Sequence, residues 1–108
     1  MPFDVLLTDS AVIDLEELDE FILTNDSVES ADYVLGRLNE VIGTLAEFPE
    51  RGNYPAELAA LGIRDYREIF FKPYRVIYRI LEHKVYIYLV VDGRRDMQTL
   101  LQRRLFSV

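Results

Sequence analysis

The sequence predicts an α+β fold of order β-α-α-β-β-β-α, an antiparallel meander sheet packed on a helical hairpin. Two adjacent apolar stripes at helical spacing, within residues 11–45, predict the hairpin. Three runs dense in β-branched and aromatic residues, within 66–91 and separated at hairpin lengths, predict the meander. A chain of 108 residues, half of them hydrophobic, supplies one core and is too short for two, so residues 1–108 are expected to form a single domain.

The elements follow in order. Phe3 to Thr8 alternates Phe3, Val5 and Leu7 with Asp4, Leu6 and Thr8, a short strand. Asp9 and Ser10 can cap a helix whose apolar positions are Ala11, Leu15, Leu18 and Ile22, with Asp14, Glu16 and Glu17 near its positive end. Asn25-Asp26-Ser27 breaks it, and Asp26 with Glu29 resembles a capping box for the next helix. There Ala31, Val34, Leu35, Leu38, Ile42 and Leu45 make one stripe, and Pro49 stops it. Glu50 to Asp65 is a connection with one helical turn, opened by Pro55 and closed by Gly62. Strands are expected at Tyr66–Phe71, Arg75–Leu81 and Val85–Val91, and Met97, Leu100, Leu101 and Leu105 suggest a short final helix.

Charge is divided unevenly. Residues 1–60 hold 14 acids against Arg37 and Arg51, a balance of −12. Residues 61–108 hold ten bases against five acids, a balance of +5, so the overall −7 hides a dipolar chain. Net acidity argues against non-specific nucleic-acid binding by the whole molecule, while a local basic face could still engage an anion. The helical hairpin should cover one sheet face and leave the other partly open. In the middle meander strand Arg75, Ile77 and Arg79 share a side, and if register permits Arg67 joins Arg75 and Arg79 there.

Gly62-Ile63-Arg64-Asp65-Tyr66-Arg67-Glu68-Ile69, Pro73-Tyr74-Arg75-Val76-Ile77-Tyr78-Arg79-Ile80 and Val91-Asp92-Gly93-Arg94-Arg95-Asp96 together resemble the RelE/ParE superfamily of bacterial toxins from type II toxin–antitoxin modules. The resemblance spans nearly the whole chain, including the Asp14-Leu15 helix and the helix end from Leu45 to Pro49. It implies the same strand and helix order and a cognate antitoxin protein that wraps the toxin. It also implies one of two targets: RelE-type members cut mRNA on the ribosome, and ParE-type members inhibit DNA gyrase and are associated with plasmid stabilisation. Arg67, Arg75 and Arg95 fall where RelE-type nucleases place basic residues. The lysine those enzymes carry on the first meander strand is Ile69 here, and their C-terminal tyrosine falls near Leu100 or Leu101. Guanidinium groups bind a phosphate but do not readily serve as a base. The incomplete set favours a ParE-like toxin that acts by binding and has no catalytic residues. A RelE-type endoribonuclease, or a non-toxic relic acting only within an antitoxin complex, are the alternatives.

Arg67, Arg75, Arg79, Arg94, Arg95, Tyr74 and Tyr78 are the expected target- or antitoxin-binding residues. Arg94 and Arg95 have two readings, an exposed cationic contact or a junction in which Asp96 caps the last helix and the arginines pair with acids. Tyr66, Tyr74 and Tyr78 divide between packing and interface roles. His83 reads as a solvated turn residue, and Asp14, Glu16, Glu17, Asp19 and Glu20 as a solvated helix face. No cysteine, no metal-ligand spacing and no glycine-rich phosphate loop occur, so no metal or cofactor is expected. The start lacks the blocks of a signal peptide and no apolar run approaches ~18 residues, so the expected location is the cytoplasm, without membrane contact.

Overall fold

The computed structural model describes residues 2–106. Its elements are β1 (Asp4–Leu7), α1 (Asp9–Asn25), α2 (Val28–Gly43), two 3-10 turns (Thr44–Ala46 and Pro49–Arg51), α3 (Ala56–Ala59), β2 (Arg67–Phe71), β3 (Tyr74–Leu81), β4 (Lys84–Asp92) and α4 (Met97–Phe106). The predicted α+β order is the observed one. Both helix caps differ from expectation by one residue. Thr8, not Asp9 or Ser10, takes the extended conformation ahead of α1, and its hydroxyl accepts from the Ala11 amide at 3.2 Å. Ser27, not Asp26, caps α2 by accepting from the Ser30 amide at 3.0 Å.

One sheet runs β1-β4-β3-β2, with β1 parallel to β4 and the remaining pairs antiparallel. The meander register slips between Ile77 and Tyr78: Ile77 faces Leu89 and Tyr78 faces Ile87, leaving Tyr88 as an additional residue on β4. The hairpin of α1 and α2 covers one face. Ala11, Leu38, Ile42 and Leu45 meet Ile69, Val76, Tyr78, Val85, Ile87 and Val90 in a dry core.

The other face is not open. There α4 lays Met97, Leu100 and Leu101 on Ile77, Leu89 and Val91, with Leu58 and Tyr66 completing a second core. The expectation of an uncovered sheet face is therefore corrected. The final helix is amphipathic, and the sheet face is where it buries Met97, Leu100 and Leu101 of its five apolar side chains. Asp96 caps it, its carboxylate accepting from the Thr99 amide at 3.2 Å and hydroxyl at 2.8 Å. Among the described residues no helix is long and apolar enough to cross a membrane.

Candidate functional site

The five arginines expected as contact residues are distributed over three environments, and the three expected to converge, Arg67, Arg75 and Arg79, over two. Arg75 emerges on the second sheet face, beside Glu68 of β2 and under Glu57 of α3. Its Nη1 and Nη2 donate to the two Glu57 oxygens at 2.8 Å each, and its Nε donates to Glu68 Oε1 at 2.7 Å. The Arg75, Glu68 and Glu57 side chains are 11%, 8% and 27% exposed, so this ion triad is buried at Glu68 and reaches the surface at Glu57. Arg75 holds the Glu57 carboxyl below the usual carboxylate range through its hydrogen bonds. Burial pushes Glu68 above that range, with Arg75 opposing. Arg75, expected as a contact residue, thus spends its guanidinium on two carboxylates within the chain. Tyr78, also expected as a contact residue, is likewise engaged within the fold. It is fully buried, its hydroxyl donating to the Pro49 carbonyl at 2.7 Å and accepting from the Gly52 amide at 3.0 Å.

Arg67 and Arg79 do meet, at the β2 side of the sheet, in a notch of about 360 Å³ whose walls also include Tyr54 and Arg64. Arg67 donates to the Gly52 carbonyl at 2.9 Å and to the Glu50 carbonyl at 3.3 Å, and lies 4.7 Å from the Tyr54 ring centroid. Arg64 sits 5.8 Å from the same ring, and Arg79 lies 5.7 Å from the ring of Tyr66. Arg64 and Tyr54 were not among the expected site residues. Neither lies on a strand, and periodicity within a connection carries no facing information.

Arg94 and Arg95 occupy a separate cleft of about 380 Å³ between α1 and the ends of β3 and β4, sharing no residue with the notch. One wall carries Leu18 and Phe21 of α1, the latter 65% exposed, with Glu17 beside them. Tyr74 and Val91 form the floor. Arg94 is exposed and grips Asp92 with Nε at 2.9 Å, lowering the Asp92 pKa. At this junction Asp96 caps α4 and Arg94 pairs with an acid, while Arg95 is exposed and forms no ion pair among the described residues.

Asp14 is not a solvated acid. Its side chain, 9% exposed, accepts from the Val90 amide at 3.0 Å and takes both Arg104 Nη atoms at 2.9 Å, while Arg104 also donates to the Tyr88 carbonyl at 3.0 Å. β1 stops at Leu7, opposite Ile87, so the Asp14–Arg104 pair satisfies the β4 edge that β1 leaves exposed. His83 is exposed, as expected, with its ring stacked 4.2 Å from that of Phe3. The positions where an RNA-cleaving relative would carry lysine and tyrosine lie in the two cores: Ile69 is 4% exposed, Leu100 6% and Leu101 1%.

The family model described as ParE toxin of type II toxin-antitoxin system, parDE, matches residues 5–97. Toxin ParE3 of Caulobacter vibrioides is 29% identical over 91 residues, covering 84% of this chain and 87% of that protein. Among solved structures, the chromosomal ParDE toxin–antitoxin system from P. aeruginosa superposes with a TM-score of 0.70 at 15% identity, over 83% of this chain and 95% of the other. The RelBE2 toxin–antitoxin complex from Mycobacterium tuberculosis superposes with a TM-score of 0.52 at 26% identity, over 85% and 92%.

Proposed function

This chain belongs to the ParE toxin family of type II toxin–antitoxin systems, and from that premise we propose that it acts by binding DNA gyrase rather than by cutting RNA. The observation that carries the reading is the fate of the candidate nuclease positions. Ile69, Leu100 and Leu101 are packed in apolar cores, and Arg75 is neutralised by two carboxylates. Cleavage through a 2′-oxygen needs a base, an acid and cations at one phosphate; of the matching positions only Arg67 and Arg95 keep an accessible cation, in two separate hollows, and neither guanidinium readily serves as a base. The groups left to make contacts in this reading are the half-buried Arg67 and Arg79 in the notch, and the exposed Arg94 and Arg95 with the half-buried Tyr74 in the cleft beside α1.

A cognate antitoxin would cover part of this surface. The exposed Phe21 beside Leu18 and Tyr74 suits the apolar stripe of an amphipathic helix, and the acid on one wall faces the arginines on the other. No cofactor enters this reading, and the site of action is the cytoplasm, where gyrase works.

Expression of the chain alone should arrest growth with signs of DNA damage, and purified protein should inhibit gyrase supercoiling of a relaxed plasmid. Full supercoiling in the presence of folded protein removes gyrase. The 26% identity to a RelBE complex supports a second reading, a ribosome-dependent endoribonuclease. Mapping of transcript ends after induction decides it: new ends within coding regions favour cleavage, and intact messages with stalled replication oppose it. Growth unaffected by high expression points instead to a non-toxic partner retained within an antitoxin complex.

A further inference from the structure

Four of the chain's ten arginines are matched with acids among the described residues, and three of the remainder gather in the notch. Arg37, Arg75, Arg94 and Arg104 each have a carboxylate oxygen within 2.9 Å. Arg64, Arg67 and Arg79 have none within ion-pair distance among the described residues, although Glu50 and Asp65 stand on the rim of the same notch and acids outnumber bases 19 to 12. Their partners are neutral: two carbonyls and the Tyr54 hydroxyl at 3.3 Å for Arg67, and aromatic rings for Arg64 and Arg79. Neutral acceptors fix a guanidinium in place without cancelling its charge. Arg67 is therefore held in place and still charged before any ligand arrives, which lowers the entropic cost of capturing one.

We propose that this notch binds an aspartate or glutamate side chain presented by an acidic segment of a partner protein. Guanidinium forks match a carboxylate with two parallel hydrogen bonds, and each of the three guanidinium groups lies within about 6 Å of an aromatic ring. An extended polyanion suits the site poorly. Affinity for nucleic acid grows with the number of phosphates neutralised, and three cations beside two rim acids on a chain of net charge −7 offer few. The inference goes beyond the gyrase reading and stands without it.

The test uses full-length ¹⁵N-labelled protein and four probes: end-blocked hexaglutamate, hexaglutamine, inorganic phosphate and a hexathymidine oligonucleotide. Hexaglutamate should shift the Nε–Hε resonances of Arg64, Arg67 and Arg79 and leave that of Arg75 in place, with hexaglutamine silent. R64Q and R79Q should each weaken the complex about tenfold, the loss of one charge-assisted contact, whereas K72Q, in the turn at the other end of β2 from Arg67, should not. Arg64 is exposed, so R64Q alone decides if R79Q impairs folding. Three results overturn the proposal: no arginine shifts, binding unchanged in R64Q, or phosphate or the oligonucleotide binding the notch as tightly as hexaglutamate. Protein that binds hexaglutamate here yet leaves supercoiling intact loses gyrase and keeps the notch; the converse result does the opposite.

Discussion

Arg75 shows how one side chain changes meaning between sequence and structure. As Tyr74-Arg75-Val76-Ile77-Tyr78-Arg79 it sits in the most family-specific run of the chain, and a basic residue on a half-buried strand reads as a surface contact. Its partners, Glu57 and Glu68, lie 18 and 7 residues away and belong to a connection and a neighbouring strand. Pairing across that separation depends on register, which the period of a strand does not encode. Removing the cation leaves two acids partly buried without a counter-charge, so Arg75→Ala should cost about 3–5 kcal/mol at neutral pH in denaturant unfolding. The pH dependence follows from the carboxyl shifts. Glu57, with a folded pKa below its ordinary 4.5, contributes stability above that value and loses it as pH falls through the folded value. Glu68, raised by burial, favours folding in its protonated form, and without Arg75 it would rise further. Both effects shrink the gap between Arg75→Ala and the parent protein as pH drops below 4.5. A gap that is constant from neutral pH into acid would show that Arg75 is not ion-paired in solution.

At the scale of elements, the stripes of α1 and α2 and the three meander runs were legible because burial on one side imposes a period on the sequence. Their joints were less so. Thr8 and Ser27 cap where Asp9, Ser10 and Asp26 were equally eligible by type, because backbone conformation rather than side-chain chemistry chooses among adjacent polar residues. The attachment of α4 was not legible at all, since Asp14 and Arg104 are 90 residues apart. Their pair ties α1, the free stretch of the β4 edge and α4 together, so Asp14→Ala withdraws a charge partner and a backbone acceptor in one step. Arg104 is then partly buried without its anion, and the Val90 amide loses its acceptor. The expected cost is about 3 kcal/mol. Hydrogen exchange should accelerate in α4 and at Val90 while α2 keeps its protection. Uniform acceleration across both helices would mean that the pair stabilises the whole fold rather than latching one helix.

For the whole molecule, the consequential feature is that both sheet faces are covered. One sign of this was present in the sequence: Val85-Tyr86-Ile87-Tyr88-Leu89-Val90-Val91 runs without polar alternation, as strands buried on both sides do. Read as β propensity alone, that run left a face open to function, and the arginines were assigned to it. The structure instead divides them between a triad, a notch and a cleft, and fills the face with α4. The two cores share β3 and β4, with Val76 and Tyr78 pointing into one and Ile77 into the other. Neither core can be lost while the sheet between them persists with a bare apolar side, so the chain should unfold as a single cooperative unit. Leu38→Ala in the hairpin core and Leu101→Ala in the α4 core each remove a side chain that is at most 1% exposed. Each should cost about 2–5 kcal/mol, lowering the Tm of one shared transition by at least about 8 °C in a domain this small. Calorimetry of both variants checks this through agreement between calorimetric and van't Hoff enthalpies. A Leu101→Ala protein that melts in two steps, α4 first and the hairpin core at the parental temperature, would split the molecule into two units.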